Sequence, residues 1–258
     1  MQGKLALLLA AFLTWMAGFV DAVGYLSLGR IYTANMSGNS VAIGIHAVSG
    51  EWFEALRRLL PVAAYFAGLL YCRLLIAYGA MRHIRRIATL TLLCEVALLL
   101  PVCLNSTPAA VALSWTFIGL LAGAMGLQNA TLTHFSNLTV HTGFVTGTLV
   151  KCAEHMAGYL NWAWDQIWNK KRAPFEVLAR SDERKALSKG GWLALIWLAY
   201  VVGACAGAFD QHTHKLRSLL VPIIGLVCVA LVDLYRPLAL REEREQQKLE
   251  ADEPQKGK

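Results

Sequence analysis

The sequence predicts an all-α polytopic integral membrane protein, and three observations point to it. Of 258 residues, 56% are hydrophobic and only 16% charged, with a mean hydropathy of +0.46, whereas a soluble domain usually carries about 25% charge. The apolar residues gather in runs long enough to cross a bilayer. Spaced small and polar residues also recur in the same order in the two halves of the chain, which points to internal repetition.

Six runs reach the roughly 17 to 25 residues that a membrane-crossing helix needs. They are Leu5 to Leu28, Leu59 to Tyr78, Ile87 to Leu104, Ala110 to Thr133, Trp192 to Phe209 and Ser218 to Tyr235, each with at most one charged residue. The first could be taken for a signal peptide cleaved near Ala17 or Ala22. Its apolar run continues to Leu28, beyond the roughly 7 to 15 residues of a signal core, so an uncleaved helix is expected. Two other stretches are ambiguous. Ser37 to Gly50 is too short for a straight crossing, and Gly143 to Trp168 contains Lys151, Glu154, His155 and Asp165. Both are read as half-helices or re-entrant segments.

A shift of 108 residues lays Thr14, Gly18, Asp21 and Ala22 on Ala122, Gly126, Asn129 and Ala130. A shift of 109 lays Ser37, Gly38 and His46 on Thr146, Gly147 and His155, and a shift of 135 lays Ala64, Tyr65 and Gly68 on Ala199, Tyr200 and Gly203. Small residues are common in membrane helices, but the Ser/Thr-Gly pair followed eight residues later by His, found twice, argues for true repeats. The expected transmembrane domain is 1–235, with one repeat at about 5–104 and a second at about 110–235. Two repeats of three crossings each would be inverted relative to one another, each with an interrupted or re-entrant helix.

Charge placement orients this scheme. With the N-terminus inside, 17 Lys/Arg fall on the cytoplasmic side and five outside, as the positive-inside rule requires. Eight crossings give nearly the same split. The contrast between Arg82, Arg85 and Arg86 in the loop Gly79 to Arg86 and the uncharged Asn105 to Ala109 favours six. Residues 236–258 carry six Lys/Arg and six Asp/Glu, a neutral tail expected to be cytoplasmic and either disordered or helical. The net charge of +7 therefore lies in the membrane domain. Its basic residues cluster between apolar runs rather than alternating with aromatics, which argues against nucleic acid. The six cysteines stand singly without metal-ligand spacing and are read as small core residues.

Polar groups inside apolar runs mark the candidate site. Thr33-Ala-Asn-Met-Ser-Gly-Asn-Ser40 precedes the short apolar stretch, so Asn35, Ser37 or Asn39 can cap it while Gly38 admits close approach. Such an uncovered helix start favours an anion or a carbonyl. His141-Thr-Gly-Phe-Val-Thr-Gly-Thr148 supplies the same device again, with Thr146, Gly147 and Thr148 in the matching positions. Interrupted helices at equivalent places of two repeats point to a transporter site. His46 and His155, a little over two turns beyond their glycines, would face the same cavity and bind substrate or relay protons. Asp21 must face a partner or water, because lipid exposure of its charge is costly; Asn129 is its counterpart. Lys151 and Glu154 are spaced to neutralise each other, and Arg73 and Glu95 to pair between helices. The chain lacks G-x-S-x-G, H-E-x-x-H, G-x-x-x-x-G-K-[ST] and G-x-G-x-x-G, so no enzyme, no ATP-driven pump, no cofactor and no metal site is expected.

Ala17-Gly-Phe-Val-Asp21-Ala, Ala34-Asn-Met-Ser-Gly-Asn-Ser-Val41, Gly126-Leu-Gln-Asn129-Ala and Thr146-Gly147 resemble the YoaK family over about residues 5 to 235. That family consists of bacterial inner-membrane proteins of unknown function, usually read as having six helices. Ser37 stands where Thr is more usual in the family, which keeps the hydroxyl. The resemblance implies fold and location, not substrate. The expected function is secondary transport of a small polar or anionic solute across the bacterial inner membrane, with proton coupling. The substrate-binding set is Asp21, Asn35, Ser37, Gly38, Asn39, His46, Asn129, Thr146, Gly147, Thr148 and His155. A 3+3 unit is also similar to half of a major-facilitator transporter, which implies a homodimer. A non-transporting scaffold or sensor is the first alternative, and an intramembrane enzyme the second.

Overall fold

The computed structural model describes residues 2–82, 84, 86–105, 114–135, 145–170 and 184–235. The charged tail 236–258 and residues 106–113, 136–144 and 171–183 lie outside the described residues. The elements are α1 (Gln2–Ser27), α2 (Met36–Val48), α3 (Trp52–Met81), α4 (Ile87–Leu104), α5 (Ser114–Phe135), α6 (Val145–Trp164), α7 (Arg184–His214) and α8 (Leu220–Tyr235). A π-helical turn, Asp165–Asn169, extends α6, and a 3-10 turn, Lys215–Leu219, joins α7 to α8. No strand occurs among the described residues.

Four helical runs are long and apolar enough to cross a membrane: Leu7–Ser27, Trp52–Met81, Ile87–Leu104 and Gly190–Tyr235. The last, 46 residues long, contains two helices, α7 and α8. The expectation of an α-helical membrane protein holds. At 22 residues α5 has the length to cross, but Gln128, Asn129 and Thr131 lower its hydropathy. All three are buried, so the helix turns them inward.

Two boundaries differ from expectation. α3 starts seven residues before Leu59 and α7 eight before Trp192, because Glu, Arg and Lys continue a helix well although they do not belong in lipid. The second ambiguous stretch is not a half-helix by length: α6 runs 20 residues without interruption, whereas α2 has 13.

α1 and α7 pack in parallel. Ala11 lies against Cys152, Leu193 and Ile196, the Trp15 carbonyl against Gly203, and the Phe19 carbonyl against Gly207. Gln211 Nε2 donates to Ser27 Oγ at 3.2 Å near their ends. α3 and α5 pack the same way. Phe53 meets Trp115 edge-on at 5.3 Å, Gly68 meets the Gly123 carbonyl, Gly126 meets the Tyr65 carbonyl, and Arg73 donates to Thr133 Oγ1 at 2.8 Å. A Cβ on Gly18, Gly68, Gly126 or Gly203 would overlap the partner backbone. These glycines allow the close approach that replaces the hydrophobic effect between helices in lipid.

α4 and α8 are antiparallel: Thr89 N and Oγ1 donate to Asp233 Oδ2 at 3.0 and 2.6 Å, while Cys103 at the other end contacts the Arg217 carbonyl. The start of α3 returns to the end of α1, where Arg58 donates to the Arg30 carbonyl at 2.5 Å and the Arg57 guanidinium lies against Gly29. α2 therefore does not carry the chain to the other end of the bundle. Met16, Leu99, Leu121, Met125 and Leu226 fill the core, while Leu70, Leu74, Ile224 and Leu231 face outward, as lipid contact allows. The described cysteines are free, but Cys205 and Cys228 are exposed. Their apolar neighbours reflect lipid, not core, so the core reading is corrected for these two.

A polar centre at the start of a short helix

Beyond Ser27 the chain reverses through Gly29 at φ +77° and Arg30 at φ +57°. The first is a conformation that glycine adopts without a steric penalty. The segment then descends along α1, with Ile31, Thr33 and Ala34 buried. Asp21 holds it there. Its Oδ1 accepts from Thr33 N at 2.6 Å, Ala34 N at 2.8 Å and Thr33 Oγ1 at 3.2 Å, and its Oδ2 accepts from Tyr200 OH of α7 at 2.7 Å. The carboxylate is only 4% exposed. Its acceptor sites are occupied by the protein's own donors, which compensates its burial.

Asp21 thereby fixes where α2 begins, inside the bundle rather than at its end. Of the three candidate caps, Asn35 serves: its Oδ1 accepts from Gly38 N at 3.3 Å and Ser37 Oγ at 2.8 Å. Ser37 is exposed, and Gly38 lies beneath the Tyr32 ring. Asn39 is fully buried; its Nδ2 donates to the Tyr32 carbonyl at 2.7 Å, and its Oδ1 has no partner among the described residues.

In the second half Asn129 Nδ2 donates to Tyr65 OH at 2.8 Å. Thr146 is exposed, Gly147 half-buried and Thr148 buried at the start of α6; His141 to Phe144 of the same motif lie outside the described residues. The Asp21 carboxylate lies within electrostatic reach of the hydroxyls of Tyr32, Tyr65 and Tyr200, and Tyr200 within reach of the other two tyrosines. The polar centre thus draws on α1, the descending segment, α3, α5 and α7.

The histidines are not brought together. His46 Nδ1 contacts Glu51 Oε2 at 2.5 Å, at the end of α2 beside the start of α3. His155 lies against Gly190, ten residues and about 15 Å before Tyr200 along α7. Because α2 climbs to the end of α1 while α6 lies beside the start of α7, equal spacing from their glycines puts the two histidines on opposite sides of Asp21. The expected Arg73–Glu95 pair is also absent: Arg73 bonds Thr133 and Glu95 has no partner among the described residues. Tyr65 and Tyr200 were missed as site residues. The 135-residue shift that superposes them was the available signal.

The family model described as "Protein of unknown function (DUF1275)" matches residues 9–232. The UPF0700 transmembrane protein YoaK of Bacillus subtilis (strain 168) is 28% identical over 153 residues, covering 59% of this chain and 68% of that protein. No solved structure matches. The resemblance read from the motifs is borne out.

Proposed function

The chain belongs to the DUF1275 family of proteins of unknown function; we propose that it is a secondary transporter of a small polar or anionic solute in the bacterial inner membrane. The observation that carries this reading is the start of α2 within the bundle, held by Asp21 beside the polar centre. A helix start there presents free amides and positive dipole charge to an anion or carbonyl away from bulk water.

Six crossings in two inverted repeats of three complete the proposal. Three pairs of contacts support it. Gly18 on the Tyr200 carbonyl matches Gly126 on that of Tyr65, and Gly203 on the Trp15 carbonyl matches Gly68 on that of Gly123. Asp21 with Tyr200 matches Asn129 with Tyr65. Each half therefore packs its first crossing on the other half's second, an exchange in which rocking one half against the other moves both polar contacts together. The antiparallel α4 and α8, and the return of α3 to the end of α1, support six crossings over eight, since eight would make both pairs parallel.

In this mechanism Asn35, Ser37, Gly38 and Asn39 on one side, and Asn129, Thr146, Gly147 and Thr148 on the other, bind the solute. Asp21 positions the first set. His46 and His155 stand toward opposite ends, each suited to proton exchange with one side. Both termini are cytoplasmic in this scheme, no enzymatic step is involved, and a homodimer would supply the second 3+3 unit. One observation favours a non-transporting scaffold: Thr33 N, Thr33 Oγ1, Ala34 N and Tyr200 OH already engage both oxygens of Asp21.

Purified protein in liposomes decides between them in a screen of radiolabelled small anions and polar solutes with and without a pH gradient. Uptake that falls in Ser37→Ala and Thr146→Ala supports transport. Tight sealing with no flux of any solute supports the scaffold.

A further inference from the structure

We propose that Glu95 is a proton-binding site within the bundle, resting as the neutral acid and exchanging its proton only when the α4–α5 interface opens. Its side chain is 0% exposed, and neither carboxyl oxygen has a hydrogen-bond partner among the described residues. On α5, against which α4 packs, Gln128 is 1% exposed with both ends of its carboxamide likewise without partners. Leu98 reaches Gly123 and Ile87 shares an apolar cluster with Leu127, so Glu95 and Gln128 lie within about two turns of one another in depth. Leu92 and Leu99, on the same helix, are buried in the core.

No cation neutralises Glu95 among the described residues. Of the titratable groups on the surrounding elements, Cys72 on α3 and Cys94 on α4 are thiols, and Arg73, beside Cys72 on α3, donates to Thr133 Oγ1 on α5. Asp233 on α8 is engaged by Thr89, six residues along α4. The Arg217 carbonyl meets α4 at Cys103, eight residues the other way, or about 12 Å. An ionised carboxylate in such surroundings costs far more than the acid. The neutral acid leaves no uncompensated charge in these surroundings. A proton suits the site better than a metal ion, which would need several oxygen ligands; among the described residues no three His, Cys, Asp or Glu converge. The purpose of such a site, proton coupling, rests on the transporter reading, but its occupancy does not.

Infrared difference spectroscopy of the full-length protein in lipid, wild type minus Glu95→Gln, reads the proton directly. The expected result is a protonated-carboxyl carbonyl band at neutral pH that is lost in the variant and gives way to carboxylate bands only at alkaline pH. Glu95→Leu, which removes the orphaned oxygens, is expected to fold and melt no lower than wild type. Carboxylate bands at neutral pH, or unfolding of Glu95→Leu, overturn the proposal. The protonated band in a protein that moves no solute upholds the proton site and removes only the transporter reading.

Discussion

At the scale of the residue, Asp21 and Asn129 occupy matching positions with opposite hydrogen-bond polarity. Asp21 accepts from Tyr200, whereas Asn129 donates to Tyr65. An amide can thus stand where the carboxylate stands, provided the tyrosine reverses its role. Asp21→Asn is expected to keep the fold and to cost about 1 to 2 kcal/mol, the difference between charged and neutral hydrogen bonds. Asp21→Ala leaves the Thr33 and Ala34 amides buried without an acceptor and should cost about 3 kcal/mol or more. Thermal unfolding in one detergent separates the two; equal losses would mean that the charge itself, not the hydrogen bonds, holds the descending segment.

Among the elements, two sets of glycines stand in opposite surroundings. Gly18, Gly68, Gly126 and Gly203 lie against the backbone of a neighbouring helix, while Gly44 on α2 and Gly119 on α5 have nothing within 4 Å. Gly203→Leu or Gly126→Leu forces α1 from α7, or α3 from α5, and is expected to abolish the symmetric folded peak in gel filtration. Gly44→Ala is expected to raise stability by about 0.5 to 1 kcal/mol, because it removes backbone entropy from the unfolded chain without a clash. A destabilised Gly44→Ala would show that a partner covers that face. Helices α1, α3, α4 and α8 were legible as apolar runs because lipid demands continuous hydrophobicity over a fixed length. The true starts of α3 and α7 were not, since polar helix formers extend a helix without any hydropathy signal.

The whole molecule is expected to place its N-terminus and the loop after α3 on one side. Ile84→Cys in a cysteine-free background should be labelled by a membrane-impermeant maleimide from the same side as an N-terminal tag, and Ser49→Cys from the other side. Labelling of position 84 from the side opposite the tag would require eight crossings and break the inverted-repeat scheme. Arg82, Arg85 and Arg86 motivate the orientation, and the contact of Arg58 with Arg30 motivates the number.

The sequence by itself determined that the chain is a helical membrane protein of this family, and marked Asp21, Asn35, Gly38 and Asn129 as out of place in apolar surroundings. Composition and motif suffice for that, because a polar residue amid lipid-facing ones is conspicuous wherever the helix packs. Only the tertiary structure decided their partners. Tyr200 lies 179 residues from Asp21 and Tyr65 lies 64 from Asn129, and no local periodicity encodes which helices meet across such separations. The same distance explains the two failed pairings. His46 and His155 are equivalent in sequence yet lie toward opposite ends, because α2 runs to the end of α1 whereas α6 carries His155 beside the start of α7. Arg73 and Glu95 have complementary charge, but Arg73 is turned to Thr133, leaving Glu95 alone in the core.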